Sequence, residues 1–125
     1  MNDYLWDSYA IIELLRGSEA YSELRQAAII TTPFAIVEAC FIVQRDSDFS
    51  PEESAGLAAG LMEYAPPIDG QLLSAAATWR LKNSDRRRRY SYADAFGYIM
   101  AQHLGLTFLT GDRAFDGLQG VEIRR

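Results

Sequence analysis

The chain has 125 residues, 49% of them apolar, a formal charge of −5 and one cysteine, Cys40. Such a composition excludes a disordered chain and suffices for one core, so a single domain over 1–125 is expected. A lone cysteine excludes an internal disulfide; with no apolar run of ~18 residues and no basic-then-apolar leader, it points to a cytoplasmic protein with no membrane partner. The charge is unevenly spread: residues 1–75 hold 12 acids and 3 bases, residues 76–125 hold 5 acids and 9 bases. The second half can therefore attract a polyanion although the whole chain is acidic.

Tyr4-Leu5-Trp6 is a short apolar run ending at Asp7 and predicts a first strand. Ser8 is the expected cap of the helix that follows, with Ile11, Ile12, Leu14 and Leu15 inward, until Arg16-Gly17-Ser18 breaks it. A short helix over about 19–28 leads to a second strand at Ile29–Thr31. Thr32-Pro33 opens a third helix, since Thr caps and Pro is tolerated in the first turn. Ser50 and Glu53 form a capping box for a fourth, and Asp69 caps a fifth that runs to about Leu81. Residues 83–89 are a polar, basic loop. Ser91 then caps a helix whose first turn holds Asp94, where a negative charge suits the dipole, and Gly105 stops it. Leu106–Leu109 is a buried strand by its run of apolar and β-forming residues, and Val121–Arg124 closes the chain as a last strand.

Strands alternating with helices predict an α/β fold of three layers, α/β/α, with a mostly parallel central sheet and helices on both faces. In such sheets ligands gather beyond the carboxyl ends of the strands. Asp7 ends the first strand, Asp112 follows the 106–110 strand, and Asp94 lies in the first turn of its helix. Glu38 falls in the second turn of the third helix, on one stripe with Phe34, Phe41 and Ile42, where an unpaired charge is costly. All of these acids can meet at one edge of the sheet. Clustered carboxylates need cations, and an all-oxygen set suits Mg²⁺ or Mn²⁺. Such an ion can activate water and stabilise the leaving oxygen of a phosphodiester. Thr110 and Ser8 are hydroxyls placed to hydrogen-bond these acids. Singly, each acid has a plain structural reading: Asp7 a turn residue, Asp94 a capping carboxylate, Asp112 half of a Gly-Asp turn. Their joint placement, with Glu38 among apolar neighbours, favours a metal site; Asp116 reads as a loop residue.

Trp6-Asp7-Ser8, Thr31-Thr32-Pro33 leading to Glu38, Ser91-Tyr92-Ala93-Asp94-Ala95, and Leu109-Thr110-Gly111-Asp112-Arg113 with Phe115 resemble the signature regions of PIN domains. The likeness covers essentially the whole chain and is greatest to the VapC-like toxins of toxin–antitoxin pairs. It implies a metal-dependent endoribonuclease with Asp7, Glu38, Asp94 and Asp112 as its acidic residues and Thr110 as its motif threonine. It also implies a cognate antitoxin and a homodimer. A housekeeping RNA-processing nuclease on the same fold is the alternative of like chemistry, and a non-catalytic RNA-binding or assembly subunit is another.

Arg86, Arg87, Arg88 and Arg89 directly precede the helix bearing Asp94 and can contact RNA phosphates. The competing role is a solvated loop or ion pairs to the acidic first half. Tyr90 and Tyr92 could stack on bases, although core or interface packing is the plainer role. A phosphoacceptor module would want a lysine beside the acids, and Lys82, the only lysine, is expected at a helix end instead. Gly56-Leu57-Ala58-Ala59-Gly60 lies inside a helix and is no nucleotide loop; its small residues could permit close approach of another helix. His103, Cys40 and Trp79 read as structural.

Overall fold

The sheet is built from β1 (Tyr4–Trp6), β2 (Thr107–Thr110) and β3 (Val121–Ile123), all parallel and in that spatial order, in a computed structural model that describes residues 4–125. Residues 1–3 of the expected domain lie outside the described residues. Leu5 stands opposite Phe108 and Trp6 opposite Leu109. Because successive side chains on a strand point to opposite faces, this register sorts the core into two layers. Trp6 and Leu109 pack with α1 (Ser8–Leu15), α2 (Pro33–Asp46) and α3 (Pro51–Leu61). Leu5 and Phe108 pack with α4 (Gly70–Asn83) and α5 (Tyr92–Leu104), in a cluster where Tyr90, Tyr98 and Phe115 meet Trp79. The result is the expected α/β/α arrangement.

Several helix ends follow the sequence signals. Ser50 and Glu53 close the capping box reciprocally, Asp69 caps α4 through Leu72 N, and Gly105 ends α5 in the left-handed conformation at φ 70°. Gly97 lets α5 lie directly on the sheet, since a Cβ there would sit 2.8 Å from Cε1 of Phe108.

Other expectations are corrected. Asp7, not Ser8, caps α1: its carboxylate accepts from Ala10 N at 2.7 Å, which makes Ser8 the first helical residue. Leu15 is exposed, and Ala10 joins Ile11 and Ile12 inside, a shift set by where the helix starts. Residues 19–28 form only a 3₁₀ turn, Glu19–Leu24, held by tertiary contacts: Tyr21 donates to the Arg124 carbonyl and Arg124 to that of Ala20. Ile29–Thr31 joins no ladder. It runs beside β1 through one backbone bond, Trp6 N to Ile30 O at 2.9 Å, and through the Thr31 hydroxyl, which donates to the Trp6 carbonyl at 2.7 Å. Thr32 and Pro33 turn the chain into α2 before a second rung can form. On α2 the buried stripe is Ala35, Ile36, Ala39 and Val43, while Phe34 and Phe41 are exposed and Glu38 lies half-buried at the border. Small residues let this helix lie close against α1, α3 and α5, and its larger side chains remain outside.

Candidate active site

Each cleft residue is placed by the end of an element. Asp7 leaves β1 with its N–H on the Leu109 carbonyl at 3.0 Å and its carboxylate on the first turn of α1, so both its backbone and its side chain are fixed. Asp112 follows β2; its N–H donates to Thr110 Oγ1 at 2.9 Å and its carboxylate accepts from Ala114 N at 2.9 Å. Asp94 lies in the first turn of α5, where its N–H donates to the Ser91 hydroxyl at 3.0 Å. Glu38 reaches over from α2 and accepts a hydrogen bond from the Ser8 hydroxyl at 3.0 Å. Gly111 is required by the cleft's shape: a Cβ there would fall 2.1 Å from Cε1 of Tyr9, whose ring lies on the glycine.

Asp7, Glu38, Asp94 and Asp112, with Ser8, line one open cleft of about 430 Å³ at the carboxyl edge of the sheet. The structure thus brings together the four acids predicted from sequence, with Thr110 buried beneath them. Asp7 is 4% exposed, and its carboxyl is pushed up to about 7: burial raises it most, the Thr110 hydroxyl and Ala10 N–H pull it back, and the charges of Asp112 and Glu38 add to the rise. Asp94 is pushed up to about 7 as well, by burial first and then by the charges of Asp7, Glu38 and Asp112. These carboxylates crowd one another in a partly desolvated space.

The donor set fits a hard divalent cation. It is all oxygen, its charges are in excess, and the cleft has room for water. Among the described residues no three acid, imidazole or thiol side chains stand close enough together to hold a metal ion between them. An ion that keeps several of its waters and takes one or two carboxylates directly asks for no such group of three.

Arg86, Arg87, Arg88 and Arg89 do not line the acid cleft. They line a neighbouring one of about 520 Å³, which shares Asp112 and Arg113 with it. Tyr90 is buried and donates to the Ala114 carbonyl, whereas Tyr92 is exposed beneath the Arg80 guanidinium. Lys82 lines a different cleft on α4, so the phosphoacceptor arrangement finds no lysine beside the acids. Asp116 is exposed and lies outside the acid cleft, as a loop residue. A Cβ on Gly56 or Gly60 would meet nothing within 4 Å, so neither serves a close helix contact within the chain.

Sequence reasoning missed Tyr9 and Arg125, which also line the acid cleft, the Arg125 guanidinium lying 5.9 Å from the Tyr9 ring centre. The signal for Arg125 was available: it follows β3, whose carboxyl end lies at the same edge as those of β1 and β2. Nothing in the sequence pointed to Tyr9.

The fold and the cleft define a three-layer α/β/α protein with a carboxylate pocket beyond the carboxyl ends of parallel strands. The family model described as PIN domain matches residues 4–121, and the chain belongs to that family. No curated protein matches its sequence. Among solved structures, it is similar to a toxin–antitoxin complex chain from Klebsiella pneumoniae, with a TM-score of 0.73, 16% identity and 95% of each chain covered. It is also similar to Mycobacterium tuberculosis VapC20, described as a Sarcin-Ricin loop cleaving toxin, with a TM-score of 0.69, 20% identity, and 98% of this chain and 99% of that one covered.

Proposed function

We propose that this protein is a divalent-metal-dependent endoribonuclease, using Mg²⁺ or Mn²⁺, and the toxin of a cytoplasmic toxin–antitoxin pair. The observation that carries the reading is the single cleft lined by Asp7, Glu38, Asp94 and Asp112, delivered by four separate segments of the chain. These carboxylates would hold the cation, which when bound would supply an activated water and neutralise charge at the phosphodiester. The chain's own residues keep the donors in place. The α1 cap and the β1–β2 ladder immobilise Asp7, the Ser8 hydroxyl orients Glu38, and Thr110 fixes the backbone of Asp112. Arg86, Arg87, Arg88 and Arg89 supply positive charge beside the cleft for RNA phosphates.

The antitoxin is proposed on the likeness to a chain of a toxin–antitoxin complex, and on an apolar groove lined in part by α5, the helix that carries Asp94. Phe34, Leu73 and Tyr92 line that groove and are exposed. A homodimer belongs to the same proposal, and light scattering of the purified protein decides it. The nuclease is tested by incubating total RNA with wild type and Asp94→Asn, in Mg²⁺ and in EDTA. Cleavage is expected only for wild type in Mg²⁺, with the circular dichroism of the two proteins alike. Cleavage by Asp94→Asn at the wild-type rate would remove the site assignment.

A further inference from the structure

The acid cleft alone is a poor receptor for a polyanion. Its carboxylates repel a phosphate backbone, and a bound cation offsets that only at the phosphate it touches. Something else must hold the rest of the strand. The two clefts meet at a common wall, Asp112 and Arg113, so a chain leaving the acids across that wall enters the space lined by Arg86, Arg87 and Arg89.

The arginines there are presented by a closed turn. Asp85 accepts from both Arg87 N and Arg88 N at 2.8 Å, and its own N–H donates to the Arg88 carbonyl at 2.9 Å. The Arg88 side chain is tied to the Asp116 carbonyl at 3.0 Å, and the Arg80 guanidinium holds the next segment through the Tyr90 carbonyl at 2.7 Å. The backbone amides thus occupy the one acid in the turn. Among the described residues none of Arg86, Arg87, Arg88, Arg89 or Arg113 forms an ion pair. The alternative role for this loop, pairing with the acidic first half, is not realised there. Arg86, Arg87, Arg89 and Arg113 remain exposed. A fixed turn that presents unneutralised guanidinium groups beside an anion-repelling cleft is arranged for phosphates.

We propose that the arginine cleft is a subsite for the backbone phosphates on one side of the cut, so that a single RNA strand runs from the acids over Asp112–Arg113 and into the Arg86–Arg89 turn. This rests on the nuclease reading and adds to it a strand path and a one-sided requirement for substrate length.

Two measurements test it. The first is binding of a fluorescent single-stranded RNA of about 12 nucleotides in EDTA, compared among wild type, R86Q/R87Q/R89Q and R86K/R87K/R89K. Each phosphate contact adds about 0.7 to the log–log salt slope for a single strand, so between 50 and 200 mM salt wild type should lose about 20-fold more affinity than the glutamine variant. The lysine variant should keep the wild-type slope, because the charge is retained. The second is cleavage in Mg²⁺ of strands extended on one side of the cut or on the other. In wild type kcat/KM should rise with extension on one side only, mainly through KM, and in the glutamine variant that ratio should fall towards one. Equal salt slopes for wild type and the glutamine variant, or an unchanged length ratio, would overturn the subsite while leaving metal-dependent cleavage standing. If wild type cuts no RNA the nuclease reading fails, and the salt slopes still decide the cleft.

Discussion

Asp7→Asn should stabilise the metal-free protein near neutral pH. An unfolded Asp titrates near 3.8, and in the folded protein burial pushes Asp7 up to about 7. Below the unfolded value the carboxyl is protonated in both states and costs nothing. As pH rises the unfolded chain releases a proton that the native chain keeps, so stability falls, and it levels off once the native carboxyl also ionises. At about 1.4 kcal/mol per unit, the full penalty is ~4 kcal/mol, of which about 2–3 kcal/mol develops between roughly pH 5 and pH 8. Asparagine accepts the same bond from Ala10 N and is as good an N-cap as Asp. It removes the charge, keeps the cap, and takes away one of the repulsions acting on Asp94.

The assay is urea unfolding in EDTA at about pH 5 and about pH 8. Wild type should lose at least the ~2–3 kcal/mol due to Asp7 on going to the higher pH, with Asp94 adding its own share, and Asp7→Asn should lose less, becoming the more stable protein there. Adding Mg²⁺ at pH 8 should restore wild type by about 2.7 kcal/mol at a hundredfold excess over Kd, and the variant by less. If metal-free wild type is as stable at the higher pH as at the lower, and Asp7→Asn only destabilises, the carboxylates do not oppose one another and the reasoning fails.

The remaining predictions concern the groups that hold the acids. Thr110→Val removes a hydroxyl that pulls the Asp7 carboxyl down and accepts from Asp112 N, so the acid limb of the cleavage profile should move to higher pH; an unmoved limb refutes the role. Gly111→Ala should cost about 1–3 kcal/mol and lower cleavage, since the new methyl falls on the Tyr9 ring; a melting temperature and kcat equal to wild type would show that the ring moves freely.

Much of the fold was legible because its signals are local. The runs that became β1 and β2, the Ser50–Glu53 box and the Gly105 stop depend only on neighbours a few residues apart, and each stands where its own chemistry puts it. What failed depended on distant partners. Ile29–Thr31 has strand-forming residues, but its partner β1 gives it one backbone bond and a side-chain bond, and no ladder follows. The inward stripe of α2 was read from its largest apolar residues, and packing chose Ala35, Ile36, Ala39 and Val43 instead. Periodicity alone cannot distinguish a face that packs on the neighbouring helices from an apolar face left outside.

The acids were legible for a related reason. A parallel sheet turns sequence positions at strand ends into spatial neighbours, so Asp7 and Asp112 could be brought to one edge on topology alone, and Asp94 by its place in the first turn of α5. Glu38 reached the right cleft by a partly mistaken argument. It lies at the border of the buried stripe, half-buried, with its carboxylate on the Ser8 hydroxyl. The same topological rule extends to β3, whose carboxyl end delivers Arg125 to the cleft. Tyr9 obeys no such rule. Its ring is placed by the absence of a side chain at Gly111, more than a hundred positions along the chain, and a contact defined by a missing atom leaves no pattern in sequence. The cleft therefore combines donors that topology gathers with a wall that only packing creates. Substitutions at Gly111 test the packing, and those at Asp7 test the charge.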